Sequence, residues 1–362
     1  MRYPRRASLR LLALVTFTCL AAALAPGRAT PSAAAKQKSP NGKIVFQSTQ
    51  GGDGFTNDIY VMDADGKRQT RLTDDPGDDV IAVWSPQGDK IAFLSDRRGN
   101  GYEIYLMNAD GGNQRPLREE APVCPFSFVW SPDGTRLAYS DGTDVYVAEV
   151  DGTQAPVNVS VYKPDGSSDK EPSWSPDGGR LVVRSITPCF GCSDLHVVNA
   201  SDGGGRIALS TGPGFDEAPR WSPAGDLIAY EGDRAQRGLY VTAADGTGTE
   251  TLVSGAVGSF GPAEWSFDGT RLAFRAMEGN SIHVVNADGS GLKPLSDTQS
   301  VSGNIFWSPD GAKVGFHSAG AGGWTDIFVV NSDGTGRRSA ANYTKTRAAD
   351  EFAYGWQRLS TQ

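Results

Sequence analysis

Trp130-Ser131-Pro132-Asp133-Gly134-Thr135-Arg136-Leu137-Ala138-Tyr139 decides the fold, because the chain keeps returning to it. A Trp closes an extended segment, a tight turn follows, and an apolar run begins. A second apolar run then ends in Asp-Gly. The tryptophans are Trp84, Trp130, Trp174, Trp221, Trp265, Trp307 and Trp356, spaced 46, 44, 47, 44, 42 and 49 residues apart. A period of this size means one supersecondary unit copied along the chain.

Each copy holds four extended pieces. The first ends at the Trp. The second is short and apolar, as in Ile91–Phe93 and Leu272–Phe274, and the third resembles Ile104–Met107 and Ile282–Val285. The fourth is weaker, as in Lys293–Ser296. β-Branched and aromatic residues fill the second and third pieces, as strands require. Ser-Pro-x-Gly turns (Ser85–Gly88, Ser131–Gly134, Ser175–Gly178, Ser222–Gly225, Ser308–Gly311) and the variant Ser266–Gly269 join the first two pieces. Asp-Gly joins the third and fourth. Pro presets φ, Asp bonds the nearby backbone and Gly supplies positive φ, so these residues are turn formers. Their spacing does not make a calcium loop.

Four antiparallel strands every ~45 residues make propeller blades. After residue 41 the chain enters on a second-type piece (Ile44–Phe46), and it leaves on a first-type piece (Tyr354–Trp356). Joined, the two ends complete one blade and remove the free sheet edges. The expectation is an all-β, seven-bladed propeller of four-stranded antiparallel blades. It spans residues 42–357, has a composite first blade closed by the C-terminal strand, and leaves a tail at 358–362. The seven tryptophans are structural in this reading.

Residues 1–29 read as an export signal. Arg2, Arg5, Arg6 and Arg10 precede an apolar stretch, Leu11–Ala25, that is short for a membrane span. Cleavage is expected after Ala29 or Ala35, and residues 30–41 form a flexible linker. The mature protein is then secreted or periplasmic, with no membrane insertion. Losing those four arginines and Arg28 takes the formal net charge from −8 to −13, which repels phosphate backbones and argues against nucleic acid. In an oxidising compartment, Cys189-Phe190-Gly191-Cys192 reads as a disulfide pinning a loop. Cys124 is then a free buried thiol.

Trp-Ser-Pro-Asp-Gly-x-Arg/Lys-Leu/Ile-Ala-Phe, followed by Glu-Ile-Tyr-Leu-Met-Asn-Ala-Asp-Gly (Glu103–Gly111), resembles the repeat of TolB-type β-propellers. The repeat is also similar to the propeller parts of prolyl oligopeptidases and tricorn-like proteases. The resemblance covers residues 42–357. It departs from TolB in two ways: residues 30–41 leave no room for TolB's separate N-terminal α/β domain, and TolB usually has six blades. The peptidases carry their nucleophile on a separate α/β-hydrolase domain. No Gly-x-Ser-x-Gly elbow occurs here.

There are three histidines, His196, His283 and His317. His196 and His283 take third-strand places that hold Tyr or Phe in other copies, so they read as packing residues. Five residues before each Trp stand Asp79, Pro125, Asp169, Asp216, Phe260, Ser302 and Glu351, with Glu171 and Glu217 close by. By the resemblance these sit near one mouth of the central channel. Convergent carboxylates raise one another's pKa unless a cation relieves them. Asp79, Asp169, Asp216 and Glu351 could therefore hold Ca2+ or Na+, or the mouth could hold a basic peptide end. They could equally accept backbone hydrogen bonds. No other cofactor is expected. The loops Ser48–Asn57, Ser95–Tyr102, Ser185–Asp194 and Ser318–Thr325 present Phe55, Arg97, Arg98, Phe190 and Trp324, which are residue types common at interfaces.

Two functions follow. One is a non-catalytic scaffold binding an envelope or extracellular protein or peptide, or a glycan. The other is a stand-alone propeller hydrolase or lyase with a carboxylate-based site in the channel.

Overall fold

The structure is a computed structural model. It describes residues 41–50, 56–119, 125, 127–163, 166–188, 192–210, 214–233, 236–248, 250–255, 262–276, 281–295, 301–319, 325–339 and 351–359. Among the described residues no helix is long and apolar enough to cross a membrane. The expected export signal, residues 30–40 of the expected linker and Cys124 lie outside them, as do Cys189, Phe55, Phe190, Phe260 and Trp324; Asn41 begins a strand.

Among the described residues, strands from Asn41 to Arg358 form seven four-stranded antiparallel sheets, each ordered as a simple meander. Six sheets use consecutive strands. The remaining one joins Glu351–Arg358, the last strand, to Asn41–Ser48, Asp58–Met62 and Thr70–Arg71. This is the composite blade 1, and the last strand pairs with the first from Asn41↔Arg358 to Ser48↔Glu351. The first strands of blades 2 to 7 are Asp79–Trp84, Ser127–Trp130, Ser168–Trp174, Asp216–Trp221, Glu264–Trp265 and Val301–Trp307.

First strands of neighbouring blades touch one another, Glu351–Arg358 meeting both Asp79–Trp84 and Val301–Trp307. They are therefore innermost. Fourth strands are mostly two residues long, such as Lys293–Pro294. An outer strand that short leaves little free edge.

The core lies in the seams between blades. Seven clusters, one per seam, each mix side chains from adjacent sheets. The closing seam packs Phe306, Ile327 and Val329 of blade 7 on Ile44, Phe46, Met62 and Trp356 of blade 1. The period of the sequence is thus the period of the core.

Four of the seven tryptophans bond one blade to the next. The indole Nε1–H of Trp130 donates to Val83 O (3.1 Å), Trp174 to Val129 O (3.2 Å), Trp265 to Arg220 O (3.0 Å) and Trp307 to Glu264 O (2.8 Å). Each acceptor is the residue before the preceding blade's Trp. The arginine of the turn motif completes the latch. Arg136 lies 4.7 Å from the centre of the Trp174 ring and donates to Gly178 O, and Arg271 treats Trp307 and Gly311 alike.

The turns follow the chemistry read from their residues. Ser131 Oγ accepts from Arg136 N–H at 2.9 Å and donates to Asp133, and Gly134 sits at φ 68°. At the Asp-Gly turns the carboxylate accepts the N–H two residues on, as Asp151 does from Thr153 (2.9 Å). Gly203, at φ 71°, also has Val159 O 2.4 Å from where a Cβ would stand, so no other residue fits.

Candidate functional site

The inner strands do not run straight. Blades 2, 4 and 5 each carry a bulge three residues before the Trp, where Ile81, Glu171 and Ala218 adopt φ of 53°, 54° and 53°. A bulge turns a side chain out of the ladder and frees a backbone N–H. In blades 4 and 5 the two effects meet: Ala218 N–H donates to Glu171 Oε2 at 2.7 Å across the seam.

Arginines then knit this face together. Arg184 of blade 4 holds Glu171 at 3.1 Å and Glu217 of blade 5 at 2.8 Å. Arg220 holds Glu264 of blade 6 at 3.0 Å. Arg237, stacked 5.1 Å from the centre of the Phe215 ring, holds the buried Glu231 at 2.6 Å. Together Glu171, Glu217, Arg220, Glu231, Arg237 and Pro262 line a cleft of about 410 Å³. It offers carboxylate acceptors and guanidinium donors in fixed directions.

The expected mouth residues divide between two environments. Glu171 and Glu217 face the cleft and are brought together by Arg184. Asp79, Asp169, Asp216 and Glu351 are buried inside the blades, each at 3% exposure or less. Arg97 bonds both oxygens of Asp79 at 3.1 and 3.0 Å, and Arg206 bonds both of Asp169 at 2.9 and 3.0 Å. Burial still raises Asp79 against the pull of Ser95 and Arg97. Asp216 faces Gly232, where a Cβ would come within 3.0 Å of its Oδ1. Glu351 is pushed up to about 8, first by burial and then by Asp326. Among the described residues, no group of three or more His, Cys, Asp or Glu is placed to hold a metal.

Arg97 is not the exposed anchor its loop position implies. It turns inward over the Tyr105 ring, 4.6 Å from its centre. Arg98 is partly exposed and bonds Glu119. Cys192 is disulfide-bonded.

The three histidines are packing residues. His283 stacks on Phe274 at 5.7 Å, matching Tyr105 on Phe93 and Phe328 on Phe316 in other blades. Burial, reinforced by Arg206, lowers His196 to about 4. His317 is lowered by burial to about 4, and its Nε2 accepts Ala353 N–H at 2.7 Å.

The residues missed from the sequence are Arg184, Arg220, Glu231 and Arg237. They lie on first, second and third strands; Arg184 and Glu231 take one second-strand place, three residues after the one facing the Trp, that holds Gln47, Leu94, Ser140, Arg275 and His317 in the other blades. That mismatch between copies was the available signal.

A family model of the TolB beta propeller domain matches residues 27–121 and 100–342. The chain belongs to the TolB β-propeller family. Within it, the Tol-Pal system protein TolB of Bordetella pertussis is 31% identical over 162 residues, which is 43% of this chain and 35% of that protein. The chain thus spans about a third of the length of the curated TolB relatives it matches. The TolB crystal structure from Acinetobacter baumannii superimposes with a TM-score of 0.54 at 17% identity, covering 87% of this chain and 82% of that one. A puromycin-hydrolyzing peptidase of Mycobacterium tuberculosis gives 0.64 at 13% identity, covering 83% of this chain and 52% of the peptidase. At these identities the two structures share a fold with the TolB-family propeller described here, and nothing finer.

Proposed function

We propose that this TolB-family propeller is exported and binds a protein or peptide of the cell envelope, without chemistry of its own. The cleft of blades 4 to 6 carries the proposal. Its carboxylates and guanidiniums are already paired and held in place by their neighbours, which suits recognition of a polar chain. Proton transfer needs a group free to give or take a proton within reach of the substrate. Here Glu171, Glu217 and Glu231 each hold an arginine. The arginine-rich, then apolar, residues 1–29 and the disulfide at Cys192 support an extracytoplasmic site of action.

Capture of partners from the source organism's envelope fraction tests this reading. The wild-type chain is expected to retain a defined protein in near-equal amount. Glu217→Ala combined with Arg237→Ala should reduce capture at least tenfold, whereas the exposed Lys67→Ala should not. Capture that survives the cleft double variant removes the cleft from the interface.

A further inference from the structure

Blades 2 and 4 fill one slot with an arginine drawn from two different places in the chain. Their acids, Asp79 and Asp169, pair across the sheet with Ser95 and Ser185. In blade 2 the guanidinium comes from Arg97, two residues after that serine, in a turn where Arg97 N–H donates to Ser95 Oγ. It bonds both oxygens of Asp79 and also donates to Gln114 Oε1 at 2.9 Å. Gln114 is the residue just before the fourth strand, Arg115–Pro116. In blade 4 the two places are exchanged. Arg206, just before the fourth strand Ile207–Ala208, reaches Asp169 and Ser185, and Thr187 stands two residues after Ser185.

Among the described residues, blade 1 has the slot without the arginine. Glu351 pairs with Ser48. Two residues on, Gln50 N–H donates to Ser48 Oγ at 3.3 Å, the same turn as at Arg97. Just before the fourth strand stands Gln69. Both places that supply an arginine elsewhere are glutamines. The nearby Arg71 engages Asp58 at 2.7 Å instead. Glu351 is 2% exposed, and neither of its oxygens has a hydrogen-bond partner among the described residues. The buried Gln69 Oε1 has none either. The aromatic floor is kept, with Phe46 stacked on Tyr60 at 5.5 Å as Phe93 lies against Tyr105 beneath Arg97.

Three buried oxygens without hydrogen-bond partners destabilise a fold unless partners arrive. A planar cationic fork satisfies a carboxylate with two parallel bonds and stacks on an aromatic face. We propose that the blade 1 slot, bounded by Glu351 and Gln69 Oε1 over the Phe46–Tyr60 pair, binds a guanidinium group supplied from outside the chain. Its source is either a small free guanidine or an arginine side chain of a partner. This site is separate from the cleft of blades 4 to 6.

Thermal unfolding of the full chain, titrated with agmatine and separately with a short arginine-containing peptide, tests the slot. A compound that binds only the folded state raises Tm with concentration. Millimolar agmatine is expected to raise Tm of the wild type by several degrees. Glu351→Gln should abolish the shift. Gln50→Arg rebuilds the blade 2 arrangement, so it should raise Tm without ligand and no longer respond to agmatine. A shift with both compounds shows that the free cation suffices. A shift with the peptide alone assigns the slot to a partner's side chain. No shift with either, an equal shift in Glu351→Gln, or no gain in stability from Gln50→Arg overturns the proposal.

Discussion

At the residue scale, Glu351 and the buried histidines titrate in opposite senses. Burial holds Glu351 at about 8, against an ordinary value of 4.5, so the folded state keeps its proton more tightly than the unfolded one. Stability from this group is fully present below 4.5 and is lost as pH rises towards 8. His317 and His196 are held at about 4 against 6.5, so the stability they contribute is present above 6.5 and lost as pH falls towards 4. Between 4.5 and 6.5 the two histidines outweigh the one glutamate. Above 6.5, of these three groups, Glu351 alone still titrates differently in the two states. Without added guanidine, Tm should therefore peak near pH 6.5 and fall by pH 8, a loss on the order of 2 kcal/mol at about 1.4 kcal/mol per unit. Glu351→Gln should flatten the alkaline limb alone. A limb that stays steep in this variant assigns the effect to another group.

The position of Glu351, five residues before Trp356, was legible in the sequence; its burial and lack of a donor were not. Counting copies shows that Asp79, Asp169 and Glu351 are equivalent. It does not show that Arg97 and Arg206 reach the same slot from different places, because that depends on side-chain paths over the sheet. Glu171 and Glu217 were legible as acids close in sequence to Asp169 and Asp216. Their shared Arg184 came from a second strand, where no local pattern marked it.

At the element scale, strands and turns were written in local chemistry, and the bulges were not. Ile81 is β-branched and 36% exposed, yet it sits at φ 53°. The left-handed region costs such a residue about 1–2 kcal/mol. Nothing in its residue type announces that geometry; it goes with the bulge, where Ile81 N–H donates to Gln47 Oε1 at 3.1 Å. Ile81→Gly should stabilise the protein by up to about 1 kcal/mol once the greater freedom of glycine in the unfolded chain is deducted. Val80→Gly, next to it in ordinary strand geometry, should destabilise. Denaturant unfolding of both variants checks the contrast.

The Trp latch belongs to the same scale. Trp174→Phe keeps most of the packing and removes the bond to Val129 O, so about 1 kcal/mol should be lost. Trp174→Ala adds a cavity beneath Arg136 and should cost about 3–5 kcal/mol. Equal losses in the two variants would mean that the indole N–H, rather than the ring, does the work.

At the scale of the whole molecule, closure depends on one strand. The blade count was legible because the chain starts and stops on complementary pieces. Which contacts hold the closure was not, since they join residues about 270 to 310 apart. Asn41 Nδ2 bonds Asp310 at 3.2 Å, Gln357 Nε2 bonds Gly88 O at 2.7 Å, and Tyr354 Oη bonds Gln47 Oε1. Trp356 and Ala353 fill the seam with Ile44, Phe46 and Phe306. A chain ending at Asp350 loses all of these except the Asn41–Asp310 bond. It leaves Asn41–Ser48 as an inner strand with one side unpaired and uncovers the closing seam. An unpaired, apolar strand recruits another chain. The truncated protein should therefore form dimers or larger species on gel filtration, bind a hydrophobic dye, and unfold over a broader temperature range. Supplying residues 351–359 as a separate peptide should restore a monomer, because the missing strand has a preformed partner in Asn41–Ser48. A truncated chain that stays monomeric with the wild-type Tm would show that six intact blades hold the ring without it.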